Sequence, residues 1–268
     1  AVTVVKSLFS IGLSMSPSSA QLLDSDVDGG SQAVKAQQRL REWILAGDLP
    51  AGSRIAELAL VDRLGMSRTP IRAALMSLGQ EGLLEALSGG GYAVRTFSER
   101  EVADAIELRG TLEGLAARLA AERGVSPAVM AQAGECLNQI DQLLRQATLD
   151  DESFSSYVHL NGRFHKLLAE MANSAVLARE IDRASRLPFA SASGFVGVQA
   201  HSPDARDMLV VAQHQHRQVL EAIGQREAGR AEALMREHSR LARHNLGQVM
   251  HNPQHAGMPG MQLIRNKV

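Results

Sequence analysis

At 268 residues the chain has room for one large domain or two ordinary ones, with a sizeable core. Lys and Arg number 28 against 29 Asp and Glu, a net charge of -1, which excludes a protein that coats nucleic acid by neutralising many phosphates but allows a small DNA-reading patch. A single cysteine, Cys136, excludes an intrachain disulfide framework and fits a reducing cytoplasm; no apolar run is long enough to span a bilayer.

Residues 1–33 carry the least information. AVTVVKSLFSIGL is mildly apolar, but the run is interrupted and no small-residue cleavage pattern follows, so a secretion signal is set aside and Met15 is a candidate start. SPSSA and DVDGGS are polar and turn-rich, and the whole segment is expected to be disordered or an addition to the first domain. A first helix is expected from Val34 to Ala46, with Leu40, Ile44, Leu45 and the sole tryptophan, Trp43, and Gly47 at its end. Glu57 to Leu64 reads as a short helix with Leu58, Val61 and Leu64 inward and Gly65 as a left-handed stop.

Residues 67–80, SRTPIRAALMSLGQ, then read as a helix built to lie on DNA. Ser67 is suited to the N-cap, and Pro70 falls where a missing N–H matters little. Ile71, Ala74, Leu75 and Leu78 recur on one face; Arg68 and Arg72 sit together at its edge, with Thr69 beyond. The pair is a helix-turn-helix whose second helix would meet the major groove, or an ordinary helical hairpin with surface arginines. Leu83 to Leu87 and Tyr92 to Val94 are extended around Gly89, Gly90 and Gly91, which suits a two-stranded wing or a flexible loop.

With PAGSRIAE, LGMSRTPIRAAL, QEGLLE and GGGYAV in order, Leu40 to Val94 resembles the winged-helix domain of GntR-type bacterial transcription regulators. The resemblance implies double-stranded operator DNA as partner and Ser67, Arg68, Thr69 and Arg72 as the DNA-binding positions. It also implies Gly91 at a wing tip that enters the minor groove, and Arg54 on a phosphate.

Residues 34–95 thus form the expected DNA-binding domain. Ser98 followed by Glu101 has the form of a capping box, so a helix starts at Glu99. Further helices are expected at about 99–123, 127–147, 151–172, 174–187, 204–225 and 227–249, with no strand and with a loop or distorted helix between Pro188 and Pro203. The fold class is therefore mainly α: a winged helix-turn-helix with a small β-wing, an all-α bundle over 99–250, and a loose Pro- and Gly-rich tail at 251–268.

Polar residues stand on faces of this bundle that should be apolar. Arg109 and Glu113 share a stripe with Val102, Ile106, Ala116 and Ala120. A buried Arg needs an anionic partner, which is either Glu113 or a ligand carboxylate. His165, His216 and His238 each fall on an inward face of a different helix, as core histidines or as a convergent metal site. The remaining histidines, at 159, 201, 214, 244, 251 and 255, read as surface.

ELRGTLEGLAARLAAERG, NGRFHKLLAEMANSAVL, QHRQVLEAI and RAEALMREH resemble the ligand-binding FCD domain of the FadR-type branch of GntR regulators. In many members an acidic residue and three histidines hold a divalent metal, and an Arg of the first helix joins it in binding a small carboxylate. Carried over, the metal positions are Asn161, His165, His216 and His238, and the ligand-binding Arg is Arg109. Asn161 departs from the Asp of many members; it removes a negative charge and should weaken metal retention. Three imidazoles suit Zn or Ni. The RIAE, SRTPIR and GGGYAVR segments resemble aromatic-acid catabolism repressors such as vanillate regulators, which implies an aromatic acid effector. The expected protein is a cytoplasmic homodimeric repressor, not an enzyme. A metal-dependent enzyme on a helical bundle and a ligand-independent DNA binder with a vestigial pocket are its rivals.

Overall fold

The computed structural model describes residues 17–146, 149–186, 190–192, 205–251 and 260–265. Helices α1 (Pro17–Ala46), α2 (Glu57–Leu64) and α3 (Arg68–Gln80) lead into strands β1 (Leu84–Ala86) and β2 (Tyr92–Val94). The strands pair antiparallel with Leu84 opposite Val94. Gly90 and Gly91 turn the hairpin at φ of 85° and 84°, a region that L side chains rarely adopt. Gly65, at φ 63°, stops α2 as expected.

Three local expectations need correction here. Residues 17–33, expected to be disordered, continue the backbone of α1; residues 1–16 lie outside the described residues. Leu58 is exposed, and Leu60 is the buried residue of α2. Leu60, Val61 and Leu64 form a tighter i, i+1, i+4 face that turns Leu58 outward. Ser67 holds the extended backbone of an N-cap, but its side chain makes no capping bond.

Strand β3 (Phe97–Ser98) joins this domain to a bundle of six helices among the described residues: α4 (Glu99–Arg123), α5 (Pro127–Leu144), α6 (Asp151–Met171), α7 (Ala175–Ser185), α8 (Ala205–Gly224) and α9 (Ala228–His251). Ser98 and Glu101 close the capping box that opens α4, and Ser126, Asp150 and Ser174 each cap a following helix by accepting a backbone N–H. One core lies inside the bundle, from Ala117 and Cys136 to Phe164, Val219 and Met235. A second unites Leu40, Ile44, Ile71 and Leu78 of the winged helix with Val102 and Ile106 of α4 and Leu246 of α9. The DNA-binding domain is therefore packed on the ends of α4 and α9 rather than tethered to them.

The tail is also part of this second core, against the expectation of a loose segment. Met261, Leu263 and Ile264 are buried, and Ile264–Arg265 forms β4, parallel to β3. Gly260 N–H donates to the Leu45 carbonyl at 2.6 Å, and Gln262 Nε2 donates to the carbonyls of Ile44 at 2.9 Å and Leu45 at 3.2 Å. The last turn of α1 leaves carbonyls without intrahelical partners, and the tail satisfies them. His201, His255 and the His251 side chain, as well as most of the expected loop after Pro188, lie outside the described residues.

Close approach of α4 and α9 depends on Gly110 and Gly114. A Cβ on Gly110 would collide with the Ser239 side chain, and one on Gly114 would lie 2.6 Å from Arg236 Cγ and 3.2 Å from the Glu232 carbonyl. Gly110→Ala should push the helices apart and lower Tm by several degrees, as overpacking of about 1–3 kcal/mol implies.

A polar contact fastens the bundle to the recognition helix. Glu81, at the end of α3, is buried and accepts from Gln37 Nε2 at 2.7 Å, from Arg41 Nη2 and from Arg186 Nη1 at 3.0 Å. Arg186 follows α7, and its Nε and Nη2 donate to Asp182 at 3.0 and 2.7 Å. Three elements thus converge on one carboxylate through charge-assisted bonds.

Candidate functional site

The candidate DNA contacts lie on the exposed side of α3 and on the wing. Arg68, Thr69 and Arg72 are exposed, while Pro70, Ile71, Ala74, Leu75 and Leu78 of the same helix are buried. Arg72 Nε donates to both Glu57 oxygens, at 2.8 and 3.0 Å, which orients the guanidinium while leaving the side chain 66% exposed. Arg54 Nη2 donates to the Gly90 carbonyl at 3.1 Å, and its backbone bridges to Ala93. The segment from Arg54 to Glu57 therefore links the wing tip, with Gly91, to the second turn of α3. Ser67 is exposed at the mouth of that helix. With Arg72 proposed as a DNA contact, Arg72→Ala should weaken operator binding by about 10–100-fold, the scale of a specific base contact, in a fluorescence anisotropy titration; unchanged binding would remove it from the contacts.

Further along the chain, the bundle gathers its buried polar groups. His165 on α6, His216 on α8 and His238 on α9 are buried, and one ring nitrogen from each lies within 4.8 Å of the others. Their second nitrogens are engaged elsewhere. Gln213 Nε2 donates to the Leu137 carbonyl at 2.9 Å and to Asp141 at 2.7 Å, which fixes its amide so that Oε1 faces His216 Nδ1 at 3.3 Å. An amide oxygen can only accept, so His216 carries its proton on Nδ1 and presents a lone pair on Nε2.

His165 Nδ1 lies 2.8 Å from Glu113 Oε1, a carboxylate oxygen that only accepts, so its proton is on Nδ1 as well. His238 Nδ1 lies 3.1 Å from Gln215 Oε1, and donation to that oxygen puts the Nε2 lone pairs of His216 and His238 face to face at 3.1 Å; His165 Nε2 is buried with no hydrogen-bond partner. Burial first, and then the neighbouring His238 and His165, hold His216 well below the ordinary histidine range. Burial, His165 and Arg109 bring His238 down to about 3. Two neutral acceptors in contact repel unless a cation lies between them. The donor set therefore fits a divalent metal, with each imidazole oriented through its other nitrogen as metal-binding histidines are.

Asn161 stands one turn before His165 on α6, is buried, and donates from Nδ2 to the Ala192 carbonyl at 3.2 Å. Its amide oxygen is the atom it can offer to a cation. Arg109 is 1% exposed, and its nearest acid is Glu113, whose Oε2 lies 3.7 Å from Nη1. That is an ion pair without a hydrogen bond: Nε and Nη1 of Arg109 and Oε2 of Glu113 have no partner. Burial pushes the Glu113 carboxyl up, but Arg109, His165 and His238 outweigh it and hold it near 2. Of the two partners considered for Arg109, Glu113 supplies the charge but not the hydrogen bonds. Two donors on a buried guanidinium remain for an anion.

Residues 32–94 match the bacterial regulatory proteins of the gntR family, and residues 104–241 match the FCD domain, more than half of the chain. The chain is a GntR-family regulator with an FCD domain. This FCD-type regulator is 24% identical to the Glc operon transcriptional activator of Escherichia coli strain K12 over 247 residues, 86% of its own length and 92% of the relative's. Its first part is 41% identical over 78 residues to the "Probable D-xylose utilization operon transcriptional repressor" of Paenarthrobacter nicotinovorans, a match that spans only 34% of that protein. Among solved structures, E. coli McbR/YncC shares the fold with a TM-score of 0.61 at 19% identity, covering 82% of this chain and 99% of that one.

The GntR-family regulator carries supporting residues that the sequence pattern alone does not assign to the site. Gln213 sits three residues before His216, on the same helical face, a spacing that could have marked it. Gln215 serves a histidine on another helix and leaves no local signal. His159, His214 and His244 are exposed, as expected. Among the described residues no helix is long and apolar enough to cross a membrane.

Proposed function

We propose that this regulator is a homodimeric repressor whose hold on a pseudo-palindromic operator is relieved by a small carboxylate, in the cytoplasm where the operator lies. The observation that carries this reading is the convergence of three buried imidazole lone pairs beside a buried arginine with two unpartnered donors. His165, His216 and His238, with the Asn161 oxygen, would hold a divalent metal such as Zn or Ni, and Arg109 would grip the carboxylate. When bound, the metal supplies positive charge and open coordination positions for an anion. Gln213, Gln215 and Glu113 keep the three imidazoles in the tautomers that this requires. Among carboxylates, aromatic acids come first, on the likeness to vanillate regulators.

The placement of Glu113 favours a sensor over an enzyme. A metal hydrolase needs a base beside its water, and the acidic neighbour of this cluster is turned to other groups, with Oε1 2.8 Å from His165 Nδ1 and Oε2 3.7 Å from Arg109 Nη1. For the second copy, α4 and the adjoining α7 offer Leu108, 51% exposed, and Val176, 63% exposed, beside Leu112, Leu115 and Leu119, which pack against α7 and are half-buried. Apolar patches of this kind favour a partner surface over water.

A thermal-melt screen of aromatic and aliphatic carboxylates, each with and without a metal chelator, tests the reading. A ligand at about 100 times its Kd adds about 2.7 kcal/mol, enough to raise Tm by several degrees. One acid class should produce that shift, and chelation should abolish it. A flat screen that chelation does not alter would leave a ligand-independent DNA binder.

A further inference from the structure

The helix that follows the one carrying Asn161 and His165 packs on it and ends at a contact with the recognition helix. Helix α7 follows α6, which carries Asn161 and His165, and it ends at Arg186, whose guanidinium bonds the Glu81 carboxylate at the end of recognition helix α3. Beyond α7, Ala190 is fully buried and the Ala192 carbonyl takes the Asn161 amide. Only a short stretch of chain therefore separates a group that touches Asn161 from a group that holds α3.

Packing leaves α7 able to move as a unit. Its inward side chains Leu177 and Ile181 pack with Ala116 of α4 and with Ala169 and Ala172 of α6, one and two turns beyond His165, in a cluster separate from the main bundle core; Leu112, Leu115 and Leu119 of α4 close it from the side. A helix held by a cluster of its own shifts as one body, as packed helices do when they slide by small amounts. At the other end the contact is stiff: Arg186 is fixed to α7 by two bonds to Asp182, and Glu81 is buried and also tied to α1 through Gln37 and Arg41. A displacement of α7 therefore has a bonded path to the α1–α3 pair.

We infer that α7 is the lever through which occupancy of the histidine cluster reaches the recognition helix, with Arg186 as the positioning residue that couples α7 to Glu81. This rests on the proposed metal-and-carboxylate reading and adds the route by which that site acts on DNA binding. Coupling arises because the Asn161 amide is shared: an Asn161 oxygen drawn onto a cation reorients the amide that donates to Ala192. Both sites then bias one packed element, as allosteric coupling requires.

Amide hydrogen exchange of residues 68–81, measured with Zn2+ alone as the probe, tests this in the full-length protein. Wild type should change exchange in α3 by about 5-fold or more on Zn2+ addition, the lower end of typical coupling. Arg186→Gln should bind Zn2+ as wild type does, by metal content, yet leave α3 exchange unchanged; Arg186→Lys, which keeps a charge for Glu81, should recover part of the response. A full response in Arg186→Gln overturns the inference, as does wild type that binds Zn2+ without any change in α3. Wild type that binds no Zn2+ overturns the metal reading itself and the lever with it.

Discussion

His216→Ala should lower Zn2+ affinity by well over the roughly 10–100-fold that loss of an outer-shell partner brings in metal sites. Isothermal titration, with metal content as the check, measures it. The effect is large because His216 is the imidazole whose tautomer is most firmly set: Gln213 is itself fixed by the Leu137 carbonyl and Asp141, so the Nε2 lone pair has no alternative orientation. The substitution also removes a repulsion, because His216 Nε2 no longer faces His238 Nε2. Without metal, the relief of that repulsion is offset by the cavity left beside Phe164 and by Gln213 Oε1, which loses its donor. Metal affinity therefore separates a ligand cluster from three core histidines, since replacing a core histidine changes no affinity. Asn161→Asp supplies the converse, restoring a carboxylate and tightening Zn2+. Equal metal content in all three proteins would sink the site.

The recognition helix is legible in the sequence because its burial and its charge follow one period, from Pro70 and Ile71 to Leu78 inside and Arg68, Thr69 and Arg72 outside. Inward histidines are legible for the same reason: an ionisable residue on an apolar stripe breaks a pattern that is otherwise regular. The convergence of their nitrogens is not, since it depends on how far three helices are rotated about their axes. In α4 the stripe of Val102, Ile106, Arg109, Glu113, Ala116 and Ala120 read from the sequence is buried. Its leucines are not sorted by the sequence: Leu112, Leu115 and Leu119 pack on α7 while Leu108 is exposed, a difference set by where α7 ends up. The tail escapes a reading by composition because its Pro and Gly residues point to a loose segment, whereas its binding rests on three apolar side chains and on the carbonyls of Ile44 and Leu45 at the end of α1. Glu81 reads as an ordinary helix-end carboxylate until its partners, 40, 44 and 105 residues away in sequence, are in place.

Arg109→Met should abolish the carboxylate-induced rise in Tm while leaving Zn2+ uptake intact. Arg109 is buried, its charge is balanced by Glu113 at 3.7 Å, and its Nε and Nη1 donors have no protein partner. A fork with two unsatisfied donors in a low-dielectric site is disposed to take a carboxylate through two bonds at once, and a methionine of similar length keeps the packing but none of the donors. Removing one member of a buried ion pair also destabilises the protein, by about 3–5 kcal/mol, because Glu113 keeps its charge beside an apolar side chain. That loss could mask the ligand effect, so the double variant Arg109→Met/Glu113→Gln is the decisive protein. The amide that replaces the Glu113 carboxylate can still accept the His165 Nδ1–H through its oxygen, the buried charge is gone, and most of the stability should return. If the double variant melts near wild type, binds Zn2+ and ignores carboxylates, Arg109 is the anion grip. A carboxylate shift that persists in it would move the grip to another cation and reduce Arg109 to the counter-ion of Glu113.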